Sequence, residues 1–280
     1  MEGILMELQI IKTTVKVGLP KPVKFLHITD THLVRVDDIP FTRWKHFEPE
    51  DNRGQLETLF LEALDYAKKN NMLIVHTGDL LDFLSEANFQ FMDEHLSDVD
   101  YIYAAGNHDF CHWVGRATED HAYKWEMIKR SAPHIKSNLY FDSRIVDGVN
   151  IVTLDNSYYL ITDGQIDLLK AEAAKGYPII LCMHVPLYGP STYEATNGDI
   201  AYAMGAPEEL LATYSEDRRL QQTPDEATLR AIEYIKSEPL IKAYVTGHLH
   251  INHEETLDNG IVQYVTHGSF AGYVREFTIV

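Results

Sequence analysis

Short apolar runs alternate along this chain with stretches of helical spacing, and most runs break off at Asp, His, Gly or Asn. Runs 23–29, 72–76, 101–105, 150–154, 178–183 and 240–246 have the length and composition of buried strands. Between them, residues 55–69 set Leu56, Leu59, Phe60, Ala63, Leu64 and Ala67 on one helical face, and 86–96 predicts a second helix. Thr162-Asp163-Gly164-Gln165 reads as a capping box opening a helix to about residue 175. Thr223-Pro224-Asp225-Glu226 reads as another, with Pro at the first helical position, opening a helix to about 237. The start alternates like strands, and 251–280 alternates around the hairpin signal Asp258-Asn259-Gly260. Buried strands interleaved with helices need cover on both faces. The expectation is therefore an α/β layered fold with mixed sheets. No repeat, low-complexity tract or linker interrupts the pattern, so 1–280 reads as a single domain.

A chain of 280 residues, 45% of them hydrophobic, can bury a large core without staples. The two cysteines fit a reducing compartment, and the strand-like start is unlike a signal peptide. Both predict a cytoplasmic location. No apolar run reaches the ~18 residues of a membrane span. The net charge of −18, from 24 basic and 42 acidic residues, repels membrane surfaces and duplex nucleic acid. It still permits a phosphate substrate at a local cation centre. Fourteen histidines, many beside Asp, Gly or Asn, are the first hint of metal chemistry.

Five short segments each follow a predicted strand: Asp30-Thr31-His32, Gly78-Asp79, Gly106-Asn107-His108-Asp109, His184 and Gly247-His248-Leu249-His250. In layered α/β sheets such segments gather at the carboxyl ends of the strands. The pairs Asp30/His32 and His248/His250 are two residues apart, so extended backbone would put both members on one side. Imidazole, carboxylate and one amide oxygen form a borderline donor set suited to Zn, Fe or Mn. They are too many for one tetrahedral ion, whereas two ions sharing a carboxylate would use them all. Such a pair lowers the pKa of a bridging water and clamps an in-line displacement at phosphorus.

The ordered pattern D-x-H, G-D, G-N-H-D, H, G-H-x-H resembles the calcineurin-like metallophosphoesterase family, and it runs from Asp30 to His250. The resemblance implies a four-layer αββα sandwich of two mixed sheets flanked by helices. It implies a dinuclear metal-dependent hydrolase that opens a phosphate ester by attack of a metal-bridging hydroxide. By motif, Asp30, His32 and His250 would hold one ion, Asn107, His184 and His248 the second, and Asp79 would bridge them. His108 would face the leaving-group oxygen, and Asp109 would orient its ring.

Departures from relatives narrow the substrate. The Arg-Gly that follows G-D in protein serine/threonine phosphatases is absent from Gly78-Asp79-Leu80-Leu81-Asp82-Phe83. Asp82 stands where purple acid phosphatases carry an iron-binding Tyr, and His108 where the lipid A pathway hydrolases carry Arg. The acidic surface argues against the repair-nuclease branch. What remains resembles the bacterial class III cyclic nucleotide phosphodiesterases, with a small soluble phosphodiester or phosphomonoester as substrate. A nuclease-like enzyme on short nucleic acid and a silent metal-bound scaffold are the rival readings. The sequence sets no oligomeric state.

Other residues near the motifs read more blandly. His27 and His76, inside apolar strands, are expected to be hydrogen-bonded structural histidines. Cys111 and Cys182 are expected to pack. Asp155, Asn156 and Ser157 read as turn formers or as support for the ligands. His112, Arg116 and Tyr188 are candidate substrate contacts. Segments 33–53 and 188–222 exceed a minimal core, and 188–222 reads as an insertion at the rim of the site.

Overall fold

The computed structural model describes residues 7–35, 55–110, 121–196 and 203–280. His112, Arg116, Cys111 and most of segment 33–53 lie outside the described residues.

Two sheets form the centre. In chain order the strands are β1 (Gln9–Val15), β2 (Val23–Ile28), β3 (Leu73–His76), β4 (Tyr101–Tyr103), β5 (Phe141–Val146), β6 (Val149–Leu154), β7 (Ile179–Cys182), β8 (Ile241–Thr246), β9 (His253–Thr256), β10 (Val262–Val265) and β11 (Tyr273–Ile279). The first sheet has the order β1-β11-β2-β3-β4 and the second β5-β6-β7-β8-β10-β9. Both are mixed. β2, β3 and β4 run parallel while β11 is antiparallel to β2. β6, β7, β8 and β10 run parallel, with antiparallel hairpin partners β5 and β9 at the edges.

Three apolar layers hold the sheets between helices. Phe25, Val75, Ile102, Ile151, Ile180, Val245 and Phe277 meet between the two sheets. Phe25 stacks on Phe277 with ring centres 4.8 Å apart. On the outer face of the first sheet, α1 (Leu56–Lys69) buries Leu59, Phe60, Ala63 and Ala67, and α2 (Glu86–Leu96) buries Phe89, Phe91 and Met92. α3 (His121–Ser131) adds Met127 to that layer. On the outer face of the second sheet, α4 (Asp163–Ala173) packs Ile166 and Leu169, and a later helix, Glu226–Ser237, packs Ala231 and Ile235. The architecture is thus two mixed sheets flanked by helices. This is the fold that the strand-helix alternation implies, because strands buried on both faces read as continuous apolar runs.

The helix starts test the capping expectations. Thr162 accepts from the Gln165 backbone N–H while the Gln165 side chain accepts from the Thr162 N–H, so the first capping box is present. The second is corrected. Between α4 and the last helix lie α5 (Pro190–Ala195), α6 (Glu208–Leu211) and α7 (Glu216–Gln222). Thr223 ends α7, and Asp225 caps α8 (Glu226–Ser237) by accepting from the Thr228 N–H. Pro224 lies between the two helices. A helix ending just upstream claims Thr223, whose hydroxyl donates back to the Arg219 carbonyl. The same three helices lie in the described parts of the extra segment 188–222. Among the described residues, no helix is long and apolar enough to cross a membrane.

Candidate metal centre

Each of the five sequence segments leaves the carboxyl end of a strand, and parallel pairing brings those ends side by side, three in the first sheet and two in the second. Asp30 and His32 follow β2, Asp79 follows β3, Asn107 and His108 follow β4, His184 follows β7, and His248 and His250 follow β8. The two sheets meet here across Asp30. Its Oδ2 accepts from the His248 backbone N–H at 2.9 Å and from the Thr29 hydroxyl at 2.7 Å.

The turns are strained where the ligand candidates sit. Asp30, His32, Asp79, His248 and His250 have φ between 48° and 70°. Left-handed backbone at non-glycine residues is costly and persists only where the surroundings over-determine it. The remaining non-glycine positive φ values among the described residues are at Asn71, Asp147 and Tyr159. Two glycines let the turns close. Gly78, at φ 94°, backs directly onto Gly106, and a Cβ on Gly106 would strike the Asp79 carboxylate.

Three sets of donors result: Asp30/His32/His250, Asp79/His184/His248 and His32/Asp79/His108, each with ligand atoms within 4.8 Å of one another. Asp79 lies between the flanking groups. Its Oδ2 is 3.8 Å from His32 Nε2 and 3.3 Å from His184 Nε2. Asn107 Oδ1 lies 3.2 Å from His184 Nε2. The seven residues picked from the motifs are brought together.

The donor set fits a pair of cations for a specific reason. Three of the imidazoles have an outer ring nitrogen held by the protein and the other turned inward. His32 Nδ1 is held by Asp82 at 3.0 Å, His184 Nδ1 donates to the Thr77 carbonyl at 2.7 Å, and His248 Nε2 meets the Tyr159 hydroxyl at 2.9 Å. The inward nitrogens then face each other: His32 Nε2 and His250 Nε2 at 3.3 Å, His184 Nε2 and His248 Nδ1 at 3.0 Å. Ligating histidines are fixed in this way, the second nitrogen setting tautomer and ring orientation. The carboxylates act in the same sense. Burial alone would lower His32, but hydrogen bonds to Asp30 and Asp82 outweigh it and raise it to about 10. Burial works against charge on His184 too, and the Asp79 carboxylate reverses it, giving about 9. The two rings that face carboxylates favour positive charge, whereas burial, and then His184, lowers His248 to about 3.

The expected role of Asp109 needs correction. Its carboxylate accepts from the backbone N–H groups of Asp79, Leu81 and Gly106 and from the Tyr103 hydroxyl. It pins the β3 and β4 turns to each other and does not hold His108. The partner of His108 is Asp82, whose Oδ1 lies 3.2 Å from His108 Nδ1 and whose carbonyl is 3.1 Å away. His108–Phe110 form a 3-10 turn, in which neighbouring side chains point a third of a turn apart. Burial would raise Asp82, but its hydrogen bonds to His108 and His32 outweigh this and hold it well below the usual carboxylate range. The sequence signal for this partner is an acid three residues after Asp79, in the same turn.

Other placements follow the bland readings. His27 sits fully buried between Thr266 and Thr77, and His76 between Thr31 and the Gly78 N–H. Burial drives both rings down, His76 to about 3. Cys182 is buried in the layer between the sheets. Tyr188 is half-buried beside Tyr193, with its N–H on the Met204 carbonyl. Tyr159 and Phe270 were not singled out from the sequence. Phe270 sets its ring edgewise against His250 and His32, 4.8 and 5.8 Å between centres.

Comparison with known proteins is consistent with this geometry. Among solved structures, the chain resembles a dimetal phosphatase from Danio rerio at 12% identity, covering 89% of this chain and 88% of that one, with a TM-score of 0.51. That likeness shows a shared fold. A phosphopantetheinyl hydrolase from Mycobacterium tuberculosis aligns at 12% identity over 92% of this chain and 91% of that one, with a TM-score of 0.46. A 5'-nucleotidase from Candida albicans aligns at 14% identity over 95% of this chain but 47% of that one, with a TM-score of 0.43. No curated protein matches the sequence. The model of the calcineurin-like phosphoesterase family matches residues 23–252, from β2 through the turn that holds His248 and His250. The chain belongs to the calcineurin-like phosphoesterase family and is a metal-dependent phosphoric ester hydrolase.

Proposed function

We propose that the protein hydrolyses a small soluble phosphodiester or phosphomonoester at a pair of transition-metal ions, Mn, Fe or Zn. The observation that carries the reading is the pairing of inward ring nitrogens on either side of Asp79, with His108 beside them. Asp30, His32 and His250 would hold one ion, Asn107, His184 and His248 the other, and Asp79 both. Bound there, the ions supply positive charge to a phosphoryl group and acidify a water molecule.

The chain's own residues supply the rest. Asp82, ionised and buried, takes the Nδ1 proton of His108 in a hydrogen bond. The ring can then carry a proton on Nε2 and deliver it to the leaving oxygen as the P–O bond breaks. That step contributes typically 10²–10⁴-fold. Because Asp82 also holds His32, one carboxylate sets both a ligand and the proton donor. A cyclic nucleotide or similar diester is the preferred substrate class, on the motif pattern and the −18 charge. The rim segment 188–222 would set specificity, with Tyr188 as a contact.

The test is a two-ester comparison. His108→Ala should keep two ions and slow an alkyl or ribosyl ester by roughly 10²-fold or more. It should slow a nitrophenyl ester far less, since that group departs without a proton. Asp82→Asn should show the same split more weakly. Equal losses on both esters would remove the acid role, and full turnover after exhaustive chelation would remove the metal reading.

A further inference from the structure

The loop after β6 reaches the centre from the second sheet, and none of the family motif falls on it. Its five residues, Asp155-Asn156-Ser157-Tyr158-Tyr159, are all buried. Asn156 makes two bonds to one residue: its Nδ2 donates to the Val185 carbonyl at 2.7 Å, and its Oδ1 accepts from the Val185 N–H at 3.0 Å. Val185 directly follows His184. Asp155 pairs with Lys124 at 2.6 Å, and the Lys124 ammonium also lies over the rings of Phe110 and Tyr158, 4.8 and 4.5 Å from their centres. Phe110 ends the turn that carries His108. The loop is therefore tied to the two chain segments that carry His184 and His108.

At its end Tyr159 has φ 62°, an outlier for an aromatic residue. Backbone of that kind is retained where the surroundings force it, and it points to a role for the residue. The consequence of the strain is visible. The Tyr159 ring, edge-on to His248 at 5.6 Å, brings its hydroxyl to 2.9 Å from His248 Nε2. An N–H on Nε2 can donate to that oxygen, which leaves the Nδ1 lone pair directed at His184 and Asp79. The opposite tautomer would put a proton on the nitrogen that has to bind.

We infer that Tyr159 is a positioning residue for the second cation, fixing the tautomer and ring angle of His248, with the 155–159 loop as its brace. The inference rests on the two-cation reading and adds a residue to it. Supporting groups of this kind are worth roughly 10–100-fold in metal affinity.

The experiment is stepwise Zn or Mn titration of the parent protein and of Tyr159→Phe, with ion content measured by mass spectrometry and folding followed by circular dichroism. The Phe ring keeps the packing and removes only the hydroxyl. The expected result is a second ion bound about 10-fold or more weaker, with the first ion's affinity within about threefold of the parent. In the Zn-loaded parent, imidazole 15N shifts should show His248 metallated at Nδ1 with a proton on Nε2, a readout that does not depend on the variant folding. A parent that holds two ions beside a variant with unchanged affinities, or with both ions weakened equally, overturns the inference alone. Metallation of His248 at Nε2 does the same. A parent that holds fewer than two ions overturns the two-cation reading and the inference together.

Discussion

The two halves of the centre are held in different ways. Around Asp30, the His250 side chain is 41% exposed and leans on aromatic edges, while its partner His32 is 2% exposed. Around Asn107, His184 is fully buried, its Nδ1 spent on a backbone carbonyl and its chain neighbour clamped by Asn156. One half opens to solvent through a side chain that water can replace. The other is built into the layer where the sheets meet, and its ligand candidate His184 doubles as structure. The lesson is that loss of exposed His250 should cost mainly affinity, whereas loss of buried His184 should cost both affinity and folding stability.

Asp79 is the residue on which the comparison ends, because it faces both halves and also accepts the His108 N–H at 2.8 Å. Asp79→Ala should weaken both ions and lower kcat by about 10³-fold or more, the scale of losing a principal charge-stabilising group. Retention of one tightly held ion in that variant would mean that the halves are independent. The contrast itself is sharpened by His184→Ala against His250→Ala in metal-free protein. The first opens a buried void and removes the 2.7 Å bond to the Thr77 carbonyl, so chemical denaturation should show a loss of about 2–4 kcal/mol. The second should fall within about 1 kcal/mol of the parent, as exposed positions do. The reverse order would break the comparison.

A smaller effect is set by pH, below the centre. His76 is buried with a folded-state value near 3, lowered first by burial, so the folded protein resists the proton that an unfolded imidazole takes up below its ordinary 6.5. Stability is complete above that value and is lost as pH falls from 6.5 towards 3, at up to about 1.4 kcal/mol per pH unit for one such group. His76→Gln should be less stable at pH 8 but lose less between pH 6.5 and 5. Urea midpoints across that range read the slope, and parallel slopes for the two proteins would show that His76 charges freely.

The alternation of apolar runs with helical stretches determined the fold class, since strands buried on both faces can only stack between helices. It also placed every strand that ends in a ligand candidate to within a residue or two. The ligand residue types were legible because each sits at a strand end, where parallel pairing leaves few places to go. Three things were not. Thr223 reads locally as a cap, but α7 claims it, and only the packing of neighbouring helices decides between two valid starts. Asp109 reads as the partner of His108 by adjacency, yet a 3-10 turn sends the two side chains apart, and Asp82 arrives from the neighbouring strand end. Tyr159 carries no motif at all, and its meeting with His248 joins residues 89 apart in the chain. Sequence periodicity encodes which face of each element is buried. Which polar groups meet at the strand ends depends on register, sheet twist and turn geometry summed over the whole chain, and the tertiary structure alone decides that.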